Sequence, residues 1–264
     1  MEKLNYLIDY LIKENKNINV KKIPQNLNDK KILYRSLCNI RPPMPIKDEY
    51  IKIEDEYLKE EVTTKGITNS KDINSFVNYN ETQICLWQGD ITSLKIDVIV
   101  NAANSEGLGC FMPCHKCIDN CIHSASGVKL RLECNKIMNE IGILQTGKCF
   151  ITAGYNLPSK YIIHTVGPIV YESVTEKEKL ELKECYINSL NLAKKNNIKE
   201  IAFPCISTGI FGFPKQLASE IAIKTIKDYL NENEKFFNKI IFNVYSEEDY
   251  KMYLKNLGDV YERL

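Results

Sequence analysis

The sequence predicts an α/β fold with a largely parallel, buried β-sheet, preceded by an N-terminal helical extension. Two observations indicate this architecture. From about residue 83 onward, short apolar runs alternate with segments of helical periodicity, which is typical of helices packed on a parallel sheet. Up to about residue 80, helical patterns follow one another instead. We therefore assign residues 1–80 to the extension and residues 81–264 to the α/β domain.

The extension is predicted to contain three amphipathic helices, with the sequences LNYLIDYLIKE, DKKILYRSLCNI and DEYIKIEDEYLKEEV. The segment RPPMPI separates the last two, because consecutive prolines stop a helix and leave extended backbone. A polar run, NSKDINSFVNYNET, joins the extension to the α/β domain. The charged faces of these helices are most simply interpreted as solvated surface, which predicts no catalytic role for the extension.

Six apolar runs of the α/β domain are predicted to be strands of one buried sheet. Their sequences are ICLW, DVIVNA, KCFITAG, YIIHTVG, EIAFPCI and KIIFNVY. The helical patterns between them predict one helix from about Ile118 to Glu140 and another from about Lys177 to Lys195. A further helix begins at Pro214, where proline is favoured, and carries its apolar residues on one face.

The composition limits the classes of function. Of the 264 residues, 44% are apolar and 26% are charged, which suits a soluble protein with one or two domains. The 35 basic residues nearly balance the 34 acidic ones, so no strong field draws the protein to nucleic acid or membranes. No window approaches the roughly 18 apolar residues of a membrane span, and acidic residues interrupt the N-terminal segment. We therefore expect a cytoplasmic protein that binds neither nucleic acid nor membrane.

Ligands of open α/β sheets bind where strands end and helices begin, since backbone N–H groups are unpaired there and helix dipoles favour anions. One such junction follows the strand DVIVNA, and a second follows EIAFPCI. Glycines 209 and 212 of the second junction let the backbone approach a bulky anion such as a pyrophosphate. The residues of this junction are Ser207, Thr208, Gly209, Ile210, Phe211, Gly212 and Phe213.

The segment NAANSEGLGCFMPCHKCIDNCIH, residues 101–123, is rich in cysteine and histidine. In a reducing cytoplasm such a cluster indicates a metal site or a catalytic site and not a disulfide framework. Thiolate and imidazole groups are ligands that zinc prefers, and a catalytic zinc keeps one position open. Cys110, His115 and Cys117, a C-x4-H-x-C arrangement, supply three such ligands. A fourth thiolate, from Cys114 or Cys121, would instead close the site and make it structural.

A dithiol redox site is an alternative interpretation of the same segment, because Cys114 and Cys117 form a C-x-x-C pair. Such a site needs no neighbouring histidine, and its loop would have no reason to adjoin a ligand-binding junction. The metal site is therefore favoured over the redox site.

Several motifs, in their order and spacing, resemble the macrodomain family over about residues 83–257: QGDIT, VNAAN, a helix carrying IH, IIHTVGP and FPCISTGIFGFP. The resemblance implies a three-layer α/β/α fold with a mixed, largely parallel sheet and a pocket for ADP-ribose. Asp90, between Gly89 and Ile91, would recognise the adenine amino group. Tyr245, in the segment NVYS, would line the adenine pocket.

The same resemblance implies roles at the other end of the pocket. Asn104 would lie against the distal ribose, residues 207–213 would hold the diphosphate through backbone N–H groups, and Phe213 would cover the distal ribose. Hydrolytic macrodomains carry an aspartate near the scissile bond, which makes Asp119 and Asn104 the implied catalytic residues. In the alternative, Asp119 only satisfies backbone N–H groups at a helix N-terminus. His164, inside the strand YIIHTVG, is predicted to be a packed core histidine.

The cysteine-rich segment resembles a narrower group, the zinc-containing macrodomains that are encoded beside a sirtuin-type ADP-ribosyltransferase in some microbes. Members of this group share an N-terminal helical extension with an RPPxPI-like segment, matched here by Arg41–Ile46. The resemblance implies that Cys110, His115 and Cys117 bind Zn²⁺ and that the other two cysteines of the segment are incidental.

The activity implied by the resemblance is hydrolysis of mono-ADP-ribose from modified protein side chains, which reverses ADP-ribosylation and releases ADP-ribose. The implied partners are a lipoyl-carrier protein as substrate and a sirtuin-type transferase that modifies it. Two alternatives stay open. The protein could bind ADP-ribose without cleaving it, or its zinc could serve only to fold the loop. Turnover of a modified protein distinguishes the first alternative, and a four-thiolate or Cys3His coordination would support the second.

Overall fold

The computed structural model describes residues 1–15, 20, 22–233 and 235–261. Three helices of the extension pack around an apolar core of their own. They are α1 (Glu2–Glu14), α2 (Leu27–Ile40) and α3 (Asp48–Lys65). The Asn26 side chain caps α2 by accepting a hydrogen bond from the Asp29 amide (2.8 Å). The RPPMPI segment between α2 and α3 is not helical, as its prolines predict.

The remaining strands and helices form a layered α/β domain. Its strands are β1 (Thr68–Asn69), β2 (Val77–Tyr79), β3 (Thr82–Gln88), β4 (Leu94–Lys95), β5 (Val98–Ala103), β6 (Cys149–Ala153), β7 (Tyr161–Val166), β8 (Glu200–Phe203) and β9 (Lys239–Val244). Its helices are α4 (Ile118–Ser126), α5 (Val128–Ile141), α6 (Glu176–Lys195), α7 (Lys215–Glu232) and α8 (Glu247–Tyr261). Short 3₁₀ turns lie at Ser70–Asp72 and Ile91–Ser93.

The central sheet is mixed and largely parallel, as predicted. Its strand order is β2-β3-β9-β8-β5-β7-β6. The five inner strands run parallel, whereas β2 and β6 pair antiparallel at the two edges. β1 and β4 form a separate parallel pair. The register of β5 and β7 sets Asn101 opposite His164, which brings two polar side chains together inside the sheet.

Helices cover both faces of the sheet, so the domain has three layers. α6, α7 and α8 pack on one face, where Val98 and Val100 of β5 join the core. α4 and α5 pack on the opposite face, with Ile99 of the same strand. Successive residues of a strand point to opposite faces, and both faces of β5 are therefore apolar and buried. The predicted α/β/α fold with N-terminal helices is confirmed.

The single helix predicted from Ile118 to Glu140 is wrong, because the chain breaks into α4 and α5 at Gly127. Gly127 has φ +87°, which favours glycine, and a Cβ there would lie 2.7 Å from Glu54 Oε2. Glu54, in α3, accepts a hydrogen bond from Val128 N (2.8 Å) at the first residue of α5. The extension thus supplies a carboxylate to the N-terminus of a helix in the α/β domain.

Three other features differ from the sequence-based expectations. The polar run NSKDINSFVNYNET, expected to be only a joining segment, contains β2, which extends the sheet beside β3. The charged segment after β9 forms α8, which was not predicted. Not every charge of the extension is solvated: Glu54 is fully buried, and the buried Arg41 pairs with Glu14. Among the described residues, no helix is both long enough and apolar enough to cross a membrane.

Candidate functional site

The loop of residues 104–117 between β5 and α4, here called the cysteine loop, gathers three potential metal ligands. The ligand atoms of Cys110, His115 and Cys117 lie within 4.8 Å of one another, and all three residues are half-buried. Cys117 is the N-cap of α4, and its Sγ accepts a hydrogen bond from Asn120 N (3.4 Å). Burial and the adjacent Cys110 raise the pKa of Cys117 to about 12. A bound cation would favour its thiolate form instead.

The other two cysteines of the segment face the extension. Cys114 Sγ lies 3.1 Å from Ser36 Oγ and donates a hydrogen bond to Ile32 O (3.4 Å). Cys121 Sγ accepts a hydrogen bond from Arg35 Nη2 at 3.5 Å. The ligand atoms of Cys110, His115 and Cys117 are therefore grouped together. The sulfurs of Cys114 and Cys121 lie instead toward α2.

Asp119 lies in the first turn of α4, with 4% of its surface exposed. Its Oδ1 accepts a hydrogen bond from Asn101 Nδ2 (2.8 Å), and its Oδ2 has no hydrogen-bond partner among the described residues. Burial raises the pKa of Asp119 to about 6, although the Asn101 hydrogen bond opposes the shift. A carboxyl group with one free oxygen and a pKa near neutrality is suited to exchange a proton with water.

Asn101, which the sequence analysis did not single out, links Asp119 to the core. It is fully buried, and its amide nitrogen also lies 3.1 Å from His164 Nδ1. His164 Nε2 lies 2.9 Å from Thr152 Oγ1, and burial lowers the pKa of His164 to about 3. The ring is therefore neutral, with Nδ1 accepting from the amide and Nε2–H donating to the hydroxyl. His164 is a packed core histidine, as predicted. The available signal for Asn101 was a polar residue inside a buried strand, which must find partners.

A second group of possible ligand atoms lies deeper in the domain. His123, Cys134 and His164 are fully buried, with their ligand atoms within 4.8 Å of one another. Both nitrogens of His164 are already used in hydrogen bonds, and burial raises the pKa of Cys134 well above its usual range. This group is therefore poorly prepared to bind a cation.

Asn104 folds the start of the cysteine loop. Its Oδ1 accepts hydrogen bonds from Glu106 N (3.0 Å) and Gly107 N (3.2 Å). Its Nδ2 donates to Gly109 O (3.4 Å), one residue before Cys110. The side chain for which the resemblance implies a ribose contact thus also shapes the turn that leads to the first sulfur.

Asp90 lies between β3 and the 3₁₀ turn that follows it, as the N-cap of that turn. Its Oδ1 accepts hydrogen bonds from Thr92 N (2.9 Å) and Thr92 Oγ1 (2.6 Å), and its Oδ2 pairs with Lys65 Nζ of α3. Burial alone would raise the pKa of Asp90, but the Lys65 ion pair and the Thr92 hydrogen bonds outweigh it and lower the pKa. Asp90 is therefore an ionised acceptor at neutral pH. Lys65 belongs to the extension and was not predicted from the sequence as a site residue.

The neighbours of Asp90 differ in exposure. Gly89 has no room for a side chain, because a Cβ would lie 2.3 Å from the Trp87 ring. Ile91 is buried in the core beneath α4. Gly89 N donates to Val244 O (3.0 Å), which brings the end of β3 beside the end of β9. Tyr245 follows there and is 80% exposed, so its ring is available to a planar ligand.

Residues 207–213, here called the glycine loop, close on themselves through backbone hydrogen bonds. Phe213 N donates to Ser207 O and Gly212 N donates to Gly209 O, both at 3.0 Å. Ser207 and Gly212 have φ values of 65° and 70°. The loop therefore turns tightly after β8, and one backbone group from outside it, Val170 N, donates a hydrogen bond to Phe211 O (2.8 Å).

The side chains of the glycine loop correct one expectation. Phe213, implied to cover the distal ribose, is 2% exposed and packs in the core with α6 and α7. Phe211 is the half-buried aromatic residue of the loop and packs on the opposite core. Ile210 at the tip is 75% exposed, and Thr208 Oγ1 donates to Cys205 O (3.0 Å). The apolar side chain of Phe213 thus anchors the loop to the core.

Comparison with known proteins agrees with this architecture. The Macro domain family matches residues 100–222. The chain is 47% identical to a protein-ADP-ribose hydrolase of Treponema medium over 255 residues, which covers 96% of this chain and 97% of that protein. It is 43% identical to a protein-ADP-ribose hydrolase of Staphylococcus aureus (strain MSSA476) over 253 residues, 95% of this chain and 93% of that protein.

Among solved structures, the macrodomain of Oceanobacillus iheyensis with ADP matches with a TM-score of 0.66 and 38% identity. The match covers 71% of this chain and 96% of that one. Identity of this extent over nearly the whole length of the relatives, together with the shared three-layer fold, shows that the chain belongs to the macrodomain family.

Proposed function

We propose that this protein is a hydrolase that releases mono-ADP-ribose from modified protein side chains. The observation that carries the proposal is the position of Asp119, a buried carboxyl group with an unpartnered oxygen, directly after the Cys–His–Cys group. Binding of ADP-ribose alone requires neither feature. The relatives named protein-ADP-ribose hydrolase, which match this chain at 43% and 47% identity, support the same reaction.

In this proposal the substrate is held at the end away from the reacting bond. Asp90 accepts a hydrogen bond from the adenine amino group, and Tyr245 lies beside the ring. Backbone N–H groups of the glycine loop bind the diphosphate, and the distal ribose reaches Asn104 and Asp119. Binding energy from adenosine and diphosphate thereby positions C1″ of the ribose for attack.

Asp119 acts on the attacking water. The water oxygen bonds to C1″, the bond from C1″ to the side-chain heteroatom of the modified protein breaks, and the water proton passes to Asp119 Oδ2. The proton then leaves with the released side chain or to solvent. Asn101 keeps Oδ1 hydrogen-bonded, so the role of proton acceptor is assigned to Oδ2, which is buried and has no hydrogen-bond partner among the described residues.

We further propose that Cys110, His115 and Cys117 hold one Zn²⁺. Two sulfurs and one imidazole within 4.8 Å form a donor set that zinc prefers, and three protein ligands leave a position open. When bound, zinc supplies Lewis-acid stabilisation of developing negative charge beside the distal ribose. All ten cysteines are free thiols, which is compatible with a reducing, cytoplasmic location.

We also propose a substrate and a partner, on the resemblance of the cysteine loop and the RPPMPI segment to zinc-containing macrodomains. The substrate is a lipoyl-carrier protein, and a sirtuin-type transferase modifies it. Hydrolysis of a modified carrier should then be faster than that of an unrelated mono-ADP-ribosylated protein. Equal rates on both would contradict the choice of carrier and leave the hydrolase proposal intact.

The experiment that tests the proposed reaction follows release of ADP-ribose from a mono-ADP-ribosylated protein by mass spectrometry, with ADP-ribose binding measured by calorimetry on the same sample. We expect release of intact ADP-ribose and recovery of the unmodified protein. Binding of ADP-ribose without release from any modified protein would instead identify a module that only recognises the modification.

A further inference from the structure

The extension reaches the cysteine loop through one side chain of α2. Arg35 Nη2 donates a hydrogen bond to His115 O at 2.8 Å and to Asn120 Oδ1 at 2.7 Å. Arg35 Nε donates to the same oxygen at 3.1 Å. The guanidinium group therefore binds the backbone of one proposed ligand and a side chain at the start of α4, although it lies 80 residues before the ligand.

Asn120 carries the contact further into the loop. It is fully buried, and its Nδ2 donates to Met112 O (2.9 Å) and Cys110 O (3.4 Å). Its backbone N donates to Cys117 Sγ (3.4 Å). Because Arg35 occupies the amide oxygen of Asn120, the nitrogen must face these two carbonyls. Arg35 and Asn120 together thus contact the backbone or side chain of all three proposed ligands.

Contacts beside Arg35 hold the middle of the loop. Cys114 has φ +52°, a left-handed conformation that a non-glycine residue keeps only when its surroundings hold it. Its N–H donates to Asn39 Oδ1 (2.8 Å), and its Sγ lies 3.1 Å from Ser36 Oγ. α2 therefore supports the bend of the loop between the first sulfur and the imidazole.

We propose that Arg35 is a positioning residue of the metal site, through which the N-terminal extension sets the affinity of the cysteine loop for a thiolate-preferring divalent cation. This inference rests on the proposed zinc site. The cysteine loop has no regular secondary structure between Asn104 and Cys117, so its ligands depend on outside contacts to stay in place. Loss of a group that orients metal ligands typically lowers metal affinity by about 10- to 100-fold.

The side chain must be arginine for this role. A planar guanidinium donates in fixed directions to two acceptors at once, whereas a lysine ammonium is a compact charge on a flexible stem. Arg35→Lys therefore keeps the charge and loses the fixed geometry. This variant separates the contribution of charge to zinc affinity from that of geometry.

The test compares zinc affinity of the full chain and of Arg35→Met by competition with a chelating dye. We expect Arg35→Met to lower zinc affinity about 10- to 100-fold and Arg35→Lys to lower it about 3- to 10-fold, as for other groups that orient ligands. Lys31→Met is the matched control, since Lys31 is a cation of the same helix that pairs with Glu61 (2.6 Å). Its zinc affinity should stay within about twofold of the parent.

Two further measurements exclude a general loss of folding. The visible spectrum of bound Co²⁺ should change in Arg35→Met and Arg35→Lys but not in Lys31→Met, because it reports ligand geometry. Hydrogen exchange at Cys114 N in the metal-free protein should be faster in Arg35→Met than in the control. If Arg35→Met does not fold, Arg35→Lys carries the same comparisons.

The outcomes separate this inference from the proposed zinc site. The role of Arg35 alone is overturned if the parent binds zinc and the Arg35 variants show the same zinc affinity and Co²⁺ spectrum. It is also overturned if Lys31→Met loses as much zinc affinity as Arg35→Met. A parent that binds no zinc removes the proposed metal site and, with it, the role of Arg35 in setting metal affinity.

Discussion

The cysteine loop and the glycine loop both follow strands of the sheet, but they are stabilised in different ways. The glycine loop is closed mainly by its own backbone, with two internal hydrogen bonds of 3.0 Å, and a backbone group from outside it, Val170 N, donates to Phe211 O (2.8 Å). The cysteine loop is held from outside, by Arg35 and Asn39 of α2. The end of the site proposed to bind the diphosphate is therefore shaped largely by its own segment, whereas the end proposed to react depends on side chains of a segment about 80 residues earlier.

This difference indicates that binding and chemistry should be separable. Asp90 and the glycine loop are proposed to contact only adenosine and diphosphate, whereas Asp119 and the cysteine loop are proposed to contact the distal ribose. Substitutions at one end should then change one measurement and spare the other.

The largest effect is expected for Asp119→Asn, which keeps the shape of the side chain and an acceptor for Asn101. Loss of the proton acceptor should lower the hydrolysis rate about 100-fold or more. ADP-ribose affinity should stay within about 1 kcal/mol of the parent, since the product has no bond left to cleave. Glu106→Gln, which alters an exposed acid of the adjoining cysteine loop, is the control and should retain the parental rate. Equal losses of binding and turnover would mean that Asp119 only supports the fold.

The second effect concerns His164, which contacts Asn101 behind Asp119. The pKa of His164 is about 3 in the folded protein, against about 6.5 in the unfolded chain. Between these values the unfolded chain binds a proton that the folded chain does not, so stability is present above pH 6.5 and lost as the pH falls. Between pH 7 and 5, the unfolding free energy of the parent should fall by up to about 2 kcal/mol more than that of His164→Asn. Parallel pH profiles from denaturant titrations would contradict a neutral, buried imidazole.

Asp90→Ala is expected to act at the other end of the site. Removing an ionised acceptor from the adenine contact should weaken ADP-ribose binding about tenfold, the scale of one hydrogen bond to a charged group. Zinc content should not change. Calorimetry that shows parental affinity would place the adenine elsewhere.

The smallest effect is expected for Gly212→Ala, which tests whether the glycine loop needs its left-handed backbone at this position. At φ +70°, alanine is strained, and its Cβ would lie 3.1 Å from Val170 O. The unfolding free energy should fall by about 1 kcal/mol, without loss of zinc. Gly209→Ala is the matched control, because nothing lies within 4 Å of a Cβ there. Equal stability of the two variants would contradict a strain specific to position 212.

Local patterns in the sequence were sufficient to predict the sheet and most of its helices. The buried strands read as continuous apolar runs, as expected for a sheet covered on both faces. The break at Gly127 was not predictable from the same pattern, because a single glycine is tolerated in a helix and the break is supported by Glu54, which lies 74 residues before its partner Val128. α8 was missed although its acidic first turn is typical of a helix N-terminus.

The site was predictable where one segment supplies it. Cys110, His115 and Cys117 lie within eight residues, and the structure brings their ligand atoms together. Asn101, Arg35 and Lys65 were not found, because their importance arises only when separate segments meet. Phe213 was assigned a contact with the distal ribose on its motif alone. Only the packed structure shows that its side chain lies in the core.

The claim that the two ends of the site act independently is tested by removing the metal and measuring ADP-ribose binding and ADP-ribose release together. ADP-ribose affinity and the rate of ADP-ribose release from a modified protein should be determined on the same preparation, before and after removal of metal with a chelator. We expect the release rate to fall about 100-fold or more and the affinity to change by less than about threefold, since zinc is proposed to act only at the distal ribose. A parallel loss of affinity and release would contradict the claim and make the cysteine loop a structural part of the nucleotide pocket.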